Sequence, residues 1–297
     1  MKVRTSKYNL ARALDALGLL RLGAAVQSGM LARSLRILYL HDVPDAQVDR
    51  FDRLLGYLRR RYVPATRADL EQLVDAGRWP YAKSGVLLTF DDGLRSHYQT
   101  VAPCLEKHGF RGWFFVPTGM VLTPPSAQPA AAIRQRVLHG QDTSVDPRVF
   151  MTRDEVRDLA RRHEVGCHTA SHVRLSAQLS EARLRGEILD SRRELEDIVE
   201  KAVDSFSWVG GEEFAYCPAA ARLIASSYRF CFTTNTRLIW PGSNPLALDR
   251  THLEAEFADA LVRFQLSGLM DLWYATKRWR VARTLAAASP IMEGAGR

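Results

Sequence analysis

The chain has 297 residues, a formal net charge of +8, 46% hydrophobic residues and 25% charged residues. That balance excludes a mostly disordered chain and supports a core of ordinary size, in one large domain or two small ones. The positive excess is almost all arginine, since only six of the 41 basic residues are lysine, and it raises the question of a nucleic-acid, anionic-lipid or acidic-sugar partner without fixing a fold.

In chain order, the first expected element is an amphipathic helix from roughly Tyr8 to Ala32. Its apolar run Leu14–Val26 is interrupted by Asp15 and Arg21, so it is too short to span a membrane and makes a poor signal peptide. We therefore expect a cytoplasmic protein. Cys104, Cys167, Cys217 and Cys231 form no CxxC pair and read as buried thiols in a reducing compartment.

Strand-length apolar runs follow at Arg36–Leu40, Gly85–Phe90, Gly112–Val116, Glu164–Cys167, Ser205–Val209 and Phe230–Thr233. Between them the spacing predicts helices. Gln47–Arg61 carries Phe51, Leu54, Leu55 and Leu58 at helical intervals, and Arg67–Ala76 opens after the N-cap Thr66. Tyr98–His108 ends at Gly109, Thr152–Arg162 opens with a capping box of Thr152 and Glu155, and Ser180–Lys201 is laced with both charges. Thr123–Arg148, with Pro124, Pro125, Pro129 and Pro147, reads as a surface excursion with a short helix around Ala130–Leu138. From Glu254 to Ala287 the pattern is wholly helical and basic. The alternation predicts an α/β fold with a mainly parallel sheet, open or closed as a barrel.

Three motifs point to chemistry. Thr89-Phe90-Asp91-Asp92-Gly93 directly follows an apolar strand, where parallel α/β folds collect functional groups. Adjacent carboxylates raise one another's pKa unless a cation lowers both, and a turn at Gly93 aims them apart; the same tripeptide is also ordinary turn chemistry. His168-Thr169-Ala170-Ser171-His172 spaces two imidazoles to share one face of a helical turn, in reach of one divalent ion. With the acidic motif it makes a two-His-one-carboxylate site with open positions for water. His41, at the end of the first strand, is either an acid or base near neutral pH or a cap on the strand end.

These residues, in this order, resemble the polysaccharide deacetylases of the NodB-homology type, carbohydrate esterase family 4. ILYLHDV is similar to an N-terminal element of the branch typified by poly-N-acetylglucosamine deacetylases. LLTFDDGLRSHYQTVAPCLEKHGFRGWFFVPTG resembles the family's first core repeat, and MTRDEVRDLARRHEVGCHTASH the segment leading to its metal histidines. The resemblance covers about Arg36 to Arg250 and implies a distorted (β/α) barrel with flanking helices. It implies Asp91 as general base, Asp92, His168 and His172 as metal ligands, and His41 as general acid. The implied reaction is removal of an N-acyl group, first of all N-acetyl, from an amino sugar of a polysaccharide, lipid-linked glycan or glycoconjugate. The implied cofactor is a divalent metal, zinc first, with cobalt, nickel or iron fitting the same ligands.

The sequence departs from the family at its third motif. Phe206-Ser207-Trp208-Val209-Gly210-Gly211 lacks the Arg that steers the base in many members, and lacks the Pro. Arg250 and His252 are candidates to replace that Arg, ranked below the reading of an ordinary polar strand end. Glu212 and Glu213 are read as solvated turn carboxylates ahead of sugar contacts. Trp208, Trp113 and Trp240 are candidates to stack on sugar rings, with core packing at least as good a reading for Trp113. His97, His108, His139 and His163 are read as surface or structural.

The expected division is a helical extension over residues 1–35, a NodB-like body over 36–253 and a basic helical tail over 254–297. The expected partner is the N-acetylated amino sugar, with no nucleic acid, and with peripheral contact to a membrane through the basic flanks. Alternatives are a deformylase or other amidase of the family acting on a smaller substrate, an inactive carbohydrate-binding relative, and a basic nucleic-acid or membrane-surface protein.

Overall fold

The fold was read from a computed structural model, which describes residues 2–20, 23, 33–137 and 146–286. Strand β1 (Leu35–Leu40) lies parallel between β3 (Gly85–Phe90) and β8 (Leu248–His252). From β3 the sheet runs through β4 (Gly112–Val116), β5 (Glu164–Cys167), β6 (Ser205–Ser207) and β7 (Phe230–Thr233) back to β8. Every pairing is parallel, so seven strands close a ring. The remaining strand, β2 (Val63–Pro64), is a spur beside the first residues of β3.

Parallel neighbours need crossover connections, and helices supply them. Val48–Arg61 and Arg67–Asp75 precede β3, Arg153–Arg162 precedes β5, and Pro218–Ser227 precedes β7. Capping boxes of Thr66 with Asp69 and of Thr152 with Glu155 start two of them. Two crossovers contain π-helical turns, at His97–Val101 and Gly186–Asp190, within stretches expected to be plain α-helix. The result is a (β/α) barrel.

Strand side chains alternate between lumen and helix layer, and the alternation sorts the core in two. Leu35, Ile37, Leu87, Trp113, Phe115, Phe230, Phe232 and Leu248 pack with one another in one cluster. Leu38, Leu40, Val86, Leu88, Phe90, Phe114 and Val116 pack in another that also holds the helices' buried faces, such as Phe51, Leu55 and Leu58. Further along the first set of positions, toward the carboxyl ends, apolar residues give way to Tyr39, Thr89, Asp91 and Arg250. That change of chemistry places the site.

Two strands escape the apolar-run criterion. β2 is only two residues long, and β8 has the sequence LDRTH, with its charged residues buried. The run expected at Ser205–Val209 ends as a strand at Ser207.

The flanks differ from expectation in detail. A helix spans Lys2–Ala16 and breaks at Gly18, whose φ is 73°, so Tyr8–Ala32 is not one helix; residues 21, 22 and 24–32 lie outside the described residues. The C-terminal helical pattern begins at Asp259 rather than Glu254 and comes in three pieces: Asp259–Leu266, Leu269–Trp273 and Ala275–Ala286. The short helix expected at Ala130–Leu138 spans Gln128–Gln135, and His139 lies outside the described residues.

The two flanks pack on each other. Ala11 and Leu20 cluster with Phe264 and Met270, and Arg263 donates two hydrogen bonds to Asp15, at 2.7 and 2.6 Å. Buried Arg36 joins the tail to β1 through Asp271, at 2.9 and 3.1 Å. Among the described residues, no helix is long and apolar enough to cross a membrane. The four cysteines are free thiols; Cys167, Cys217 and Cys231 are buried and Cys104 is half-buried.

Candidate active site

All five residues singled out by motif meet at the carboxyl end of the barrel, in a cleft of about 950 Å³. In-register pairing of Leu40 with Phe90 puts the next residues, His41 and Asp91, at adjacent strand ends. Pairing of Val116 with Cys167 brings His168 to the same level.

The turn after β3 separates the two carboxylates as expected. Asp92 has φ 83° and Gly93 φ 63°, and a Cβ at Gly93 would also crowd Pro117 and Val116 at 3.3 Å. A left-handed Asp is one of the tolerated non-glycine cases, and such conformations collect at working sites. Asp91 turns to Arg250 and Asp92 to the two histidines.

Asp92 Oδ1 lies 2.9 Å from His172 Nε2 and 3.5 Å from His168 Nε2, and the three donor atoms fall within 4.8 Å of one another. His168 Nδ1 donates to the Ser207 carbonyl at 2.9 Å, which leaves the Nε2 lone pair facing Asp92. Two imidazole nitrogens and a carboxylate, buried or nearly so and open to a cleft, form a donor set suited to a divalent ion with free positions. No helical turn carries the pair, contrary to expectation. Residues 168–172 are irregular, and left-handed conformations at Thr169 (φ 62°) and His172 (φ 55°) fold the second imidazole back toward the first.

Neighbouring elements hold that loop. Glu187, in one π-turn, accepts from the Ser171 N–H at 2.9 Å and its hydroxyl at 2.6 Å. Gly119 N–H donates to the Ala170 carbonyl at 2.8 Å, and a Cβ on Gly119 would meet that oxygen at 2.9 Å. The other π-turn puts buried His97 beneath the first strand end, its Nε2 2.7 Å from the His41 carbonyl. His97 is thus structural, as is buried His163, whose Nδ1 accepts from Gly112 N–H; His108 pairs with Asp52.

Arg250 stands against Asp91. It donates to both oxygens of Asp91 at 2.7 Å, and also to Ser207 Oγ and Thr89 Oγ1. Its guanidinium lies over Tyr39 and Phe115, at 4.9 and 5.4 Å. The reading ranked first, an ordinary polar strand end, is therefore wrong: Arg250 is fully buried and bidentate. Burial alone would raise the Asp91 pKa, but Arg250 and then His168 outweigh it and hold the carboxyl below its usual range.

His41 has a partner that sequence reasoning missed. Its Nδ1 lies 2.5 Å from Glu254 Oε1, and Glu254 also receives His252 Nε2 at 2.8 Å. Burial works against protonation of His41, yet the hydrogen bond and charge of Glu254 push its pKa up to about 9. Burial likewise opposes ionisation of Glu254, and the two histidines hold its pKa down to about 2. The only signal in the sequence was the His-x-Glu of residues 252–254. These three side chains also cluster closely enough to hold a cation. Glu254 Oε1 already faces both imidazoles, however, so hydrogen bonding accounts for the cluster without one.

The outer wall brings further residues. Glu212 accepts from Arg174 at 3.0 and 3.0 Å, and Glu213 accepts from Arg280 at 2.9 and 2.6 Å, so neither is a free solvated carboxylate. Trp208 is buried but lines the cleft, whereas Trp113 belongs to the core and Trp240 does not reach the cleft. The tail supplies lining that no motif announced: Trp273, Tyr274, Thr276, Lys277 and Arg280.

Residues 78–228 match the protein family described as polysaccharide deacetylase. No curated protein matches the chain. Among solved structures, Streptococcus pyogenes deacetylase PplD in complex with acetate is 18% identical, with a TM-score of 0.60 over 79% of this chain and 99% of that one. IcaB from Ammonifex degensii is 20% identical, with a TM-score of 0.60 over 80% and 97%. The BpsB deacetylase domain from Bordetella bronchiseptica is 18% identical, with a TM-score of 0.58 over 75% and 96%. At these identities the likeness is one of fold.

Proposed function

Because the chain belongs to the polysaccharide deacetylase family, we propose that its cleft hydrolyses the N-acetyl amide of an amino sugar with the help of a divalent metal ion. The observation that carries this reading is the convergence of three pairings on one cleft: Asp91 with Arg250, Asp92 with two histidines, and His41 with Glu254. Asp92, His168 and His172 would hold the ion, with zinc the first choice. When bound, such an ion polarises an amide carbonyl and makes water more acidic.

The chain's own groups then divide the proton work. Asp91, kept ionised and oriented by Arg250, takes a proton from water as the water oxygen bonds to the acyl carbon. His41 is protonated at neutral pH, and with Nδ1 committed to Glu254 it has Nε2 left for the substrate. It delivers a proton to the amide nitrogen as the C–N bond breaks, because an unprotonated amine leaves poorly. The products are a free amino sugar and acetate. Arg250 and Glu254 act through their partners and are positioning residues. The four free thiols support placement in a reducing, cytoplasmic compartment.

The test is acetate release from N-acetylated amino-sugar oligomers by purified protein. Chelation should abolish turnover and zinc should restore it, and Asp91→Asn should be inactive while still taking up metal. Metal-independent turnover, or full activity in Asp91→Asn, would overturn the assignment; formate released in place of acetate would move it to a deformylase.

A further inference from the structure

Several of the most exposed apolar side chains lie on elements that line or border the cleft. Leu272 and Trp273 are 76% and 70% exposed, and Trp273 lines the cleft itself. Trp279 stands exposed on the following helix, Phe214 on the turn that carries Glu213, and Ile133 on the helix leading to Arg136, another cleft residue. Leu17 is exposed on the N-terminal flank, which packs against the same tail. Scattered exposed apolar residues are ordinary, but a group around one opening marks an interaction surface.

The tail helix beside this rim is basic, and the rim's acids, Glu212 and Glu213, are paired with Arg174 and Arg280. Helix Ala275–Ala286 reads ATKRWRVARTLA, with Lys277, Arg278, Arg280 and Arg283 and no acid. Lys277 lines the cleft and lies 5.2 Å from the Tyr274 ring centre; Arg283 lies over Trp279 at 4.7 Å. Helix Lys2–Ala16 has one acid, Asp15, and Arg263 neutralises it. Tryptophan and leucine at the tips of a basic surface are what an interface between water and anionic lipid selects. A second copy of the chain would bring basic surface against basic surface.

We propose that the two helical flanks dock the protein on an anionic lipid bilayer, with the mouth of the cleft at headgroup level. On the hydrolase reading above, on which this consequence rests, the amino sugar is then met as the headgroup of a membrane lipid.

The test is sedimentation with vesicles of mixed phosphatidylglycerol and phosphatidylcholine, compared with phosphatidylcholine alone. The protein should bind the mixed vesicles, with binding that falls steeply as salt rises. Leu272→Ser with Trp279→Ser should weaken binding about a hundredfold or more, in line with two buried apolar side chains lost. Arg283→Glu should weaken it on mixed vesicles alone. Neither variant touches the cleft, so turnover of a water-soluble N-acetyl sugar should be unchanged, which also shows that the variants fold. Asp91→Asn should bind vesicles like the wild type, so a failed hydrolase reading and a failed docking reading give different results. No binding to the mixed vesicles at low salt overturns docking. Binding indifferent to the Leu272 and Trp279 changes overturns it too, as does self-association that those changes abolish.

Discussion

Asp91 and His41 sit at neighbouring strand ends, yet the structure treats them differently. The Asp91 side chain is 4% exposed and its partner Arg250 is sealed, whereas His41 and Glu254 are 25% and 16% exposed. The first pair is a fixed charge arrangement: Arg250 orients the carboxylate and keeps it ionised, at some cost in basicity. The second is a tunable one, in which Glu254 raises the affinity of His41 for the proton that the proposed reaction would have it deliver. A base fixed by burial and an acid tuned by a half-open relay give different responses when each is broken.

Breaking the sealed pair has the largest expected effect. Arg250→Met leaves a buried carboxylate without its countercharge, and such losses cost about 3–5 kcal/mol. Burial would then be opposed only by the neighbouring histidines, and the Asp91 pKa should rise, so turnover should collapse as well. Urea denaturation of Arg250→Met, Asp91→Asn and the double variant measures this. The double variant should recover much of the stability lost in Arg250→Met; additive losses would mean that the pair is not the unit described. Arg250→Lys should not rescue, because an ammonium cannot span both oxygens.

The acid side should lose rate rather than stability. His41→Ala should lower kcat about 10²–10⁴-fold, the usual worth of a positioned acid. The pH dependence separates His41 from its partner. With a folded pKa of about 9 against an ordinary 6.5, His41 adds stability that is complete below pH 6.5 and is lost as pH rises through about 9. Its acid form fades over the same range, so kcat should fall on an alkaline limb near pH 9. Glu254→Gln removes the cause of the raised pKa and should move that limb to lower pH. Glu254, held near 2, adds stability that is complete above pH 4.5 and is lost as pH falls through about 2. A kcat–pH profile in which Glu254→Gln leaves the limb in place would break the comparison.

The asymmetry also explains what the sequence let us read. Six of the barrel's seven strands, and the candidate residues His41, Asp91, Asp92, His168 and His172, were legible because each is local: an apolar run followed at once by its polar residue. Arg250 meets Asp91 across 159 residues, and in LDRTH the burial of charge in the lumen erases the alternation that announces a strand. Glu254 was taken as the first residue of a helix, when it belongs to the turn after β8 and answers to His41 across 213 residues. The helical turn expected for His168–His172 failed because an interval of four says only that two side chains are near. His168 and His172 reach that proximity through left-handed conformations at Thr169 and His172 instead. The tail's part in the cleft had no local motif at all, since Trp273 and Lys277 become cleft residues only when the tail folds back over the barrel.

The smallest effect should come from the outer wall. Arg174 and Glu212 form a bidentate pair like Arg250 and Asp91, but their side chains are 35% and 45% exposed. Arg174 is the chief cause of a Glu212 pKa lowered to about 2. Exposure makes the same geometry worth little, because water solvates either partner once the other is gone. Glu212→Gln should therefore change stability by less than about 1 kcal/mol in urea denaturation. It frees Arg174 at the rim without touching Asp91, His41 or the ligand triad. Its signature should thus be a changed KM on extended substrates, with kcat on a short one intact. A fall in kcat comparable to that of Glu254→Gln would place Glu212 in the proton chemistry and end the distinction between a sealed base, a tuned acid and a merely shaping rim.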